Sequence, residues 1–238
     1  MDEITINIIL FVSAFISGLT VIISNIKFSK ILKPLISFSG AFMLAICILH
    51  LMPEIFSSYD KTIGAFILLG FLIQLLLEFF SDGVEHGHFH AHKKDLAIFP
   101  YAIFISLCLH SFIEGMALIN TDGHNHVGHS DSLLLGIIIH KIPVAIVLST
   151  MILAKNVSKI TFVIALFIFA LSAPIGLYLA SHHILPFLEN SRIILALAVG
   201  IFLHISTTIL FESSESHKFD LKKFVIVIIG FALAIFTL

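Results

Sequence analysis

The sequence predicts an all-α integral membrane protein: one bundle of eight transmembrane helices over residues 1–238, with both termini extracytoplasmic. Three observations lead there. Of the 238 residues, 58% are hydrophobic and 12% charged, and the mean hydropathy is +1.10; a soluble domain carries roughly twice that share of charge. The apolar residues fall into eight runs, most of them near the ~20 residues that a helix needs to cross a bilayer. The basic residues between the runs are divided unequally.

The first run, 4–24, follows Met1-Asp2-Glu3 directly, without the basic segment that opens a cleavable signal. The second, 34–56, closes with LHLMPE and so carries His50 and Glu54. The third is 62–80. Residues 81–97 then break the apolar pattern with SDGVEHGHFHAHKKD, in which His86, His88, His90 and His92 alternate. The fourth run, 98–120, contains YAIFISLCLHSFIEGMALIN with His110 and Glu114. Residues 121–131 are again polar and hold His124, His126 and His129. The fifth, 132–154, contains His140, Lys141 and Pro143; the runs at 158–181, 190–211 and 222–238 complete the set, the last of them short. Only short loops remain between runs, so consecutive helices are expected to be antiparallel neighbours and no soluble domain fits. Cys47 and Cys108 lie inside runs and do not form a disulfide framework.

Orientation follows from the lysines. Lys27, Lys30, Lys33, Lys93, Lys94, Lys155, Lys159, Lys218, Lys222 and Lys223 fall on one side, against Lys61 and Arg192 on the other. Basic loops stay cytoplasmic, which makes 81–97 a cytosolic His-rich loop and 121–131 an extracytoplasmic His-containing one.

Ionisable residues at membrane depth are costly and mark pathways or binding sites. His110 and Glu114 are four apart and project from one helix face. At ~1.5 Å per residue, His110 and His140 lie at nearly equal depth below the outer surface, and His50 can reach the same layer. Three imidazoles and a carboxylate suit zinc, whereas magnesium and calcium prefer oxygen donors. Manganese prefers more carboxylates, and iron accepts imidazole. The candidate ligands are therefore His50, His110, Glu114 and His140, with Glu54 nearer the outer mouth. Lys141, about 100° round the helix from His140, either pairs with Glu114 or takes the place of a second cation. Pro143 cannot donate to the carbonyl of Ile139 and is expected to bend the helix beside His140; broken helices at mid-membrane are a common way to build ion sites.

Plainer readings exist for each residue. His110 and Glu114 can be a structural pair between helices, His50 an interfacial polar residue, Glu54 a solvated carboxylate, and Ser111 a helix contact. The loop histidines, His86 to His92 on one side and His124, His126 and His129 on the other, either bind metal in passing or have no defined site. Cys47 is a soft auxiliary ligand or a buried thiol. His182, His183 and His204 have no evident partner, and packing is the reading preferred for them.

HSFIEG in the fourth run, HKIPVA in the fifth and GAFMLAICILHLMPE in the second resemble the ZIP family of zinc and iron transporters. The likeness covers essentially the whole chain. It implies movement of divalent metal into the cytosol, a homodimer, and an elevator-like motion of helices 1, 4, 5 and 6 against helices 2, 3, 7 and 8. There are departures. Lys141 and Val144 occupy polar positions where many members have a second acidic residue, as in a subgroup with His-Lys in the fifth helix. Ser111 stands where many have Asn, and Thr208 where Glu is frequent.

Zinc is expected as transported substrate rather than cofactor, with cadmium and iron as further ions, in a multi-pass protein of the plasma membrane. The lipid bilayer is the other partner, and no nucleic acid is expected. The alternatives are a different main substrate, iron or manganese, an intramembrane zinc hydrolase, or a metal sensor. HExxH and GxSxG are both absent, which disfavours an enzyme.

Overall fold

The computed structural model describes residues 1–23, 29–57, 61–81, 99–118, 129–155, 157–182, 184, 191–211 and 220–237, and every regular element among them is helical. In chain order these are α1 (Glu3–Ile23), α2 (Ser29–Ile46), α3 (Lys61–Ser81), α4 (Tyr101–Met116), α5 (His129–Ala154), α6 (Lys159–Ser181), α7 (Ser191–Phe211) and α8 (Leu221–Phe236). From α2 the chain runs on through a π-helical turn, Cys47–Leu51, into a last α turn, Met52–Ile55.

Six segments are long and apolar enough to cross a membrane: α1, Ile31–Ile55, α3, Ser132–Ala154, α6 and α7. Helices α4 and α8 have 16 residues each, about 24 Å at 1.5 Å per residue. All eight expected spans are thus helical, and the largest difference is in the fourth, expected over 98–120. Pro100 precedes the first residue of α4, and the N–H of Ala117 closes its last turn onto Ile113 and Gly115. The loops at 81–97 and 121–131 lie almost wholly outside the described residues, including His86, His88, His90, His92, His124 and His126; Ser81 ends α3, and His129 opens α5.

Three helix starts are capped by the residues that sequence chemistry favours. Asp2 accepts from the hydroxyl of Thr5 at 2.6 Å and from its N–H at 3.3 Å, and these bonds hold its carboxyl below the usual carboxylate range. Ser158 caps α6 through the N–H of Thr161, and Asp220 caps α8 through Lys222 and Lys223.

Of two prolines near candidate ligands, one alters the local helix and one does not. The π turn precedes Pro53, which has no N–H for the carbonyl of Leu49; the N–H of Met52 reaches back five residues to Cys47. Pro143, expected to sit in a bent or broken helix, lies inside α5, which is helical without interruption from His129 to Ala154.

The outward faces are apolar, with Ile4, Ile8, Leu68, Leu72, Leu75, Phe79, Ile160, Ile164 and Ile228 exposed as lipid contact demands. Inside, the helices pack in two sets. In one, α3 lies against α7 and α2 against both α7 and α8; in the other, α4 lies against α6 and α1 against α5 and α6. Small residues let backbones meet within each set. A methyl group on Gly70 would strike the carbonyl of Leu197, and one on Gly115 the carbonyl of Ala173. The sets touch mainly through α2–α5 and α3–α4.

Candidate metal site

The polar centre of the bundle is built from three helices. From α4 come His110, Ser111 and Glu114; from α5 come His140 and Lys141; from α3 comes Gln74. None is more than 2% exposed. Helical spacing does the local work. His110 and Glu114 are one turn apart, and their Nε2 and Oε1 atoms lie 3.2 Å from each other. The ring of His140 stands edge-on to that of His110, centroids 5.8 Å apart at 86°, so α4 and α5 bring the two rings together. One ligand atom from each of His110, Glu114 and His140 falls within 4.8 Å of the others.

These distances have a chemical meaning. Two ligands on a tetrahedral zinc, bonded at about 2.0–2.1 Å, are about 3.3 Å apart. The His110–Glu114 separation already matches one edge of such a tetrahedron.

Lys141 is fully buried with its charge accounted for. Its ammonium donates to Oε2 of Glu114 at 2.9 Å and to the hydroxyl of Ser111 at 2.6 Å, and it lies 5.7 Å from the centre of the Phe169 ring. Of the two roles open to it from sequence, pairing with Glu114 is the one seen. Ser111 serves as its acceptor across the α4–α5 contact. The carboxylate is therefore shared: Oε2 holds Lys141, and Oε1 faces His110.

His50 lies on the π turn and Glu54 in the α turn that follows, both half-buried, and neither belongs to the three-residue group. Cys47, on the same turn, is a fully buried free thiol. His182 lies 3.8 Å from Glu3 at an exposed end of the bundle.

Two features escaped the sequence reading. Gln74, fully buried on α3, places Oε1 3.2 Å from Nδ1 of His110. One turn further along α3, Glu78 lies 3.3 Å from Nε2 of His204 on α7, whose ring stands edge-on to Phe71 at 4.6 Å. The available signal was the pair Gln74 and Glu78, four apart within FLIQLLLEFF. Polar groups on one face of a spanning run invite a partner.

Fold and cluster together define a multi-pass integral membrane protein with a buried group of side chains that could hold a metal ion. The family follows from comparison with known proteins. The model of the ZIP zinc transporter family matches residues 82–237, from before α4 to the end of α8, and the chain belongs to that family, one of transporters rather than enzymes. The chain is also similar to Protein zntD of Dictyostelium discoideum, 25% identical over 166 residues. That alignment covers 63% of this chain and 24% of the relative, so the chain spans about a quarter of that protein's length. The matched family region includes His110, Glu114, His140 and Lys141; His50, Gln74 and Glu78 precede it.

Proposed function

We propose that this protein carries zinc across the bilayer into the cytosol, one ion at a time, through a site made by His110, Glu114 and His140. The observation that carries this reading is the buried His–Glu–His cluster, with Nε2 of His110 and Oε1 of Glu114 at the spacing of two ligands on one ion. His50, from the π turn, is the fourth ligand in this scheme. Local π geometry is frequent at functional sites. Glu54 and the histidines of 121–131 gather ions at the outer mouth, and those of 81–97 receive them inside.

Charge explains how an ion can leave again. With neutral imidazoles, the Glu114 carboxylate and the Lys141 ammonium cancel, so the incoming dication meets a site of no net charge. It sheds its water onto ligands that hold it firmly enough to enter and weakly enough to depart. Lys141 also occupies the space and the carboxylate oxygen that a second metal would need, which favours a single ion. Cadmium and iron compete for the same donors, and manganese competes less well. The inward direction is what the resemblance to the family implies, and the lysine asymmetry says only which side is the cytosol. The resemblance to the family further implies a homodimer, and the plasma membrane is the location proposed.

Uptake of radioactive zinc into liposomes containing the purified chain tests the reading. Wild-type protein should accumulate zinc, and Glu114→Ala and His110→Ala should not, at equal reconstitution. Equal uptake by the folded variants would remove the site from the pathway.

A further inference from the structure

We propose that Gln74 is a positioning residue for the metal site: its side-chain oxygen holds His110 in the tautomer whose Nε2 presents a lone pair to the ion. The proposal rests on the reading of His110 as a ligand. Oε1 of Gln74 lies 3.2 Å from Nδ1 of His110; an amide oxygen only accepts, so this contact is a hydrogen bond when Nδ1 carries the proton. With the proton on Nδ1, the lone pair of Nε2 points towards Oε1 of Glu114, 3.2 Å away. Two such acceptors face to face repel until a cation enters between them. Gln74 thereby keeps the pair ready for metal and prevents a direct Nε2–H···Glu114 hydrogen bond, which would close the site. Metal-bound histidines almost always donate their second nitrogen to an acceptor of this kind, and its loss typically costs 10–100-fold in affinity.

The position of Gln74 gives this bond a second consequence. It stands on α3, whose backbone is locked to α7 through Gly70, whereas His110 stands on α4, locked to α6 through Gly115. The hydrogen bond therefore crosses between the two packed sets of helices. A displacement of α4 against α3 by about 1 Å would break it, and the tautomer of His110 would then depend on how the sets lie.

The test uses the full chain in lipid nanodiscs. Nitrogen chemical shifts of the histidine rings, with His110 assigned by its absence in His110→Ala, report the tautomer without metal; zinc affinity is measured by equilibrium binding. Wild-type His110 should be the Nδ1–H tautomer. Gln74→Met, nearly the same size but without the acceptor, should shift His110 towards Nε2–H and weaken zinc binding 10–100-fold. Gln74→Glu, which restores an acceptor, should bring both back to within a few-fold of wild type. An Nε2–H tautomer in the wild-type protein, or Gln74→Met with unchanged tautomer and affinity, would overturn the proposal. Full zinc binding by His110→Ala would instead overturn the ligand reading beneath it.

Discussion

The ammonium of Lys141 and the carboxylate of Glu114 meet at 2.9 Å in the centre of a membrane bundle, while the other carboxylate oxygen faces His110. One acid thus has two neighbours of different kinds, an ammonium and an imidazole nitrogen. The ammonium compensates the carboxylate's charge inside the bundle. Removing one partner from a buried ion pair costs about 3–5 kcal/mol, because the other charge is left uncompensated.

Lys141→Met should therefore destabilise the empty protein by about 3 kcal/mol. Zinc should repair the loss, since a dication beside Glu114 replaces the missing ammonium. Thermal unfolding in detergent, with and without zinc, checks this: the stabilisation by zinc should be larger in the variant than in wild type. Equal shifts in the two proteins would mean that the ion does not bind next to Glu114.

Lys141→Asp goes further by replacing the cation with a second carboxylate. We expect the zinc content per chain to rise from one to two, and manganese and iron to compete better, as oxygen donors favour. Metal analysis of the dialysed protein reads the stoichiometry directly. One ion per chain with an unaltered competition profile would deny Lys141 a part in selectivity.

Charge and shape can be separated by the double variant Glu114→Gln, Lys141→Met. Each single change strands a buried charge, whereas the double change strands none. Their effects on stability should be strongly non-additive, by 0.5–3 kcal/mol for groups in contact. Zinc uptake should stay abolished even though the fold recovers. A double variant as unstable as the sum of its parts would show that the pair does not hold the fold in the way its geometry indicates.

The sequence made part of this site legible and hid the rest, for reasons that can be traced. His110 and Glu114 were readable because helical spacing alone puts them on one face, and His140 because span ends fix its depth. The Lys141–Glu114 contact followed as one of two options once the helices were neighbours. Gln74 and Glu78 signalled by their spacing that a face of α3 seeks partners, but no periodicity says that this face turns towards His110 on α4 and His204 on α7. The π turn at Cys47–Leu51 was missed although Pro53 was in view; a proline beside the end of a helix can equally stop it, bend it or widen the turn before it. The helix set itself was plain from hydropathy, with the fourth span read too long because apolar residues continue beyond Met116, where the helix stops.

Close backbone packing beside the site yields a further expectation. Gly115 follows Glu114, and any side chain there runs into the carbonyl of Ala173 on α6. Gly115→Ala should push α4 from α6, cost about 1–3 kcal/mol as overpacked positions do, and move Glu114 with it. Zinc affinity and uptake should fall together. Size-exclusion behaviour and uptake in liposomes check the two halves of the claim. A variant with normal uptake would show that the α4–α6 seam has slack.

The pair formed by Glu78 and His204 offers a control at a distance from the site. It joins α3 to α7, one turn along α3 from Gln74, with the His204 ring against Phe71. The two helices are already in backbone contact, so the pair fastens a seam that is itself close-packed. Glu78→Ala and His204→Ala should each weaken the fold, and together they should cost less than their sum, because whichever goes first leaves the other with less to lose. If the pair serves the fold alone, equilibrium zinc binding at His110, Glu114 and His140 should stay within a few-fold of wild type in every variant that folds. Thermal unfolding and zinc titration on the same samples separate the two effects. A large loss of zinc affinity with little change in stability would move Glu78 and His204 from the seam into the ion's path.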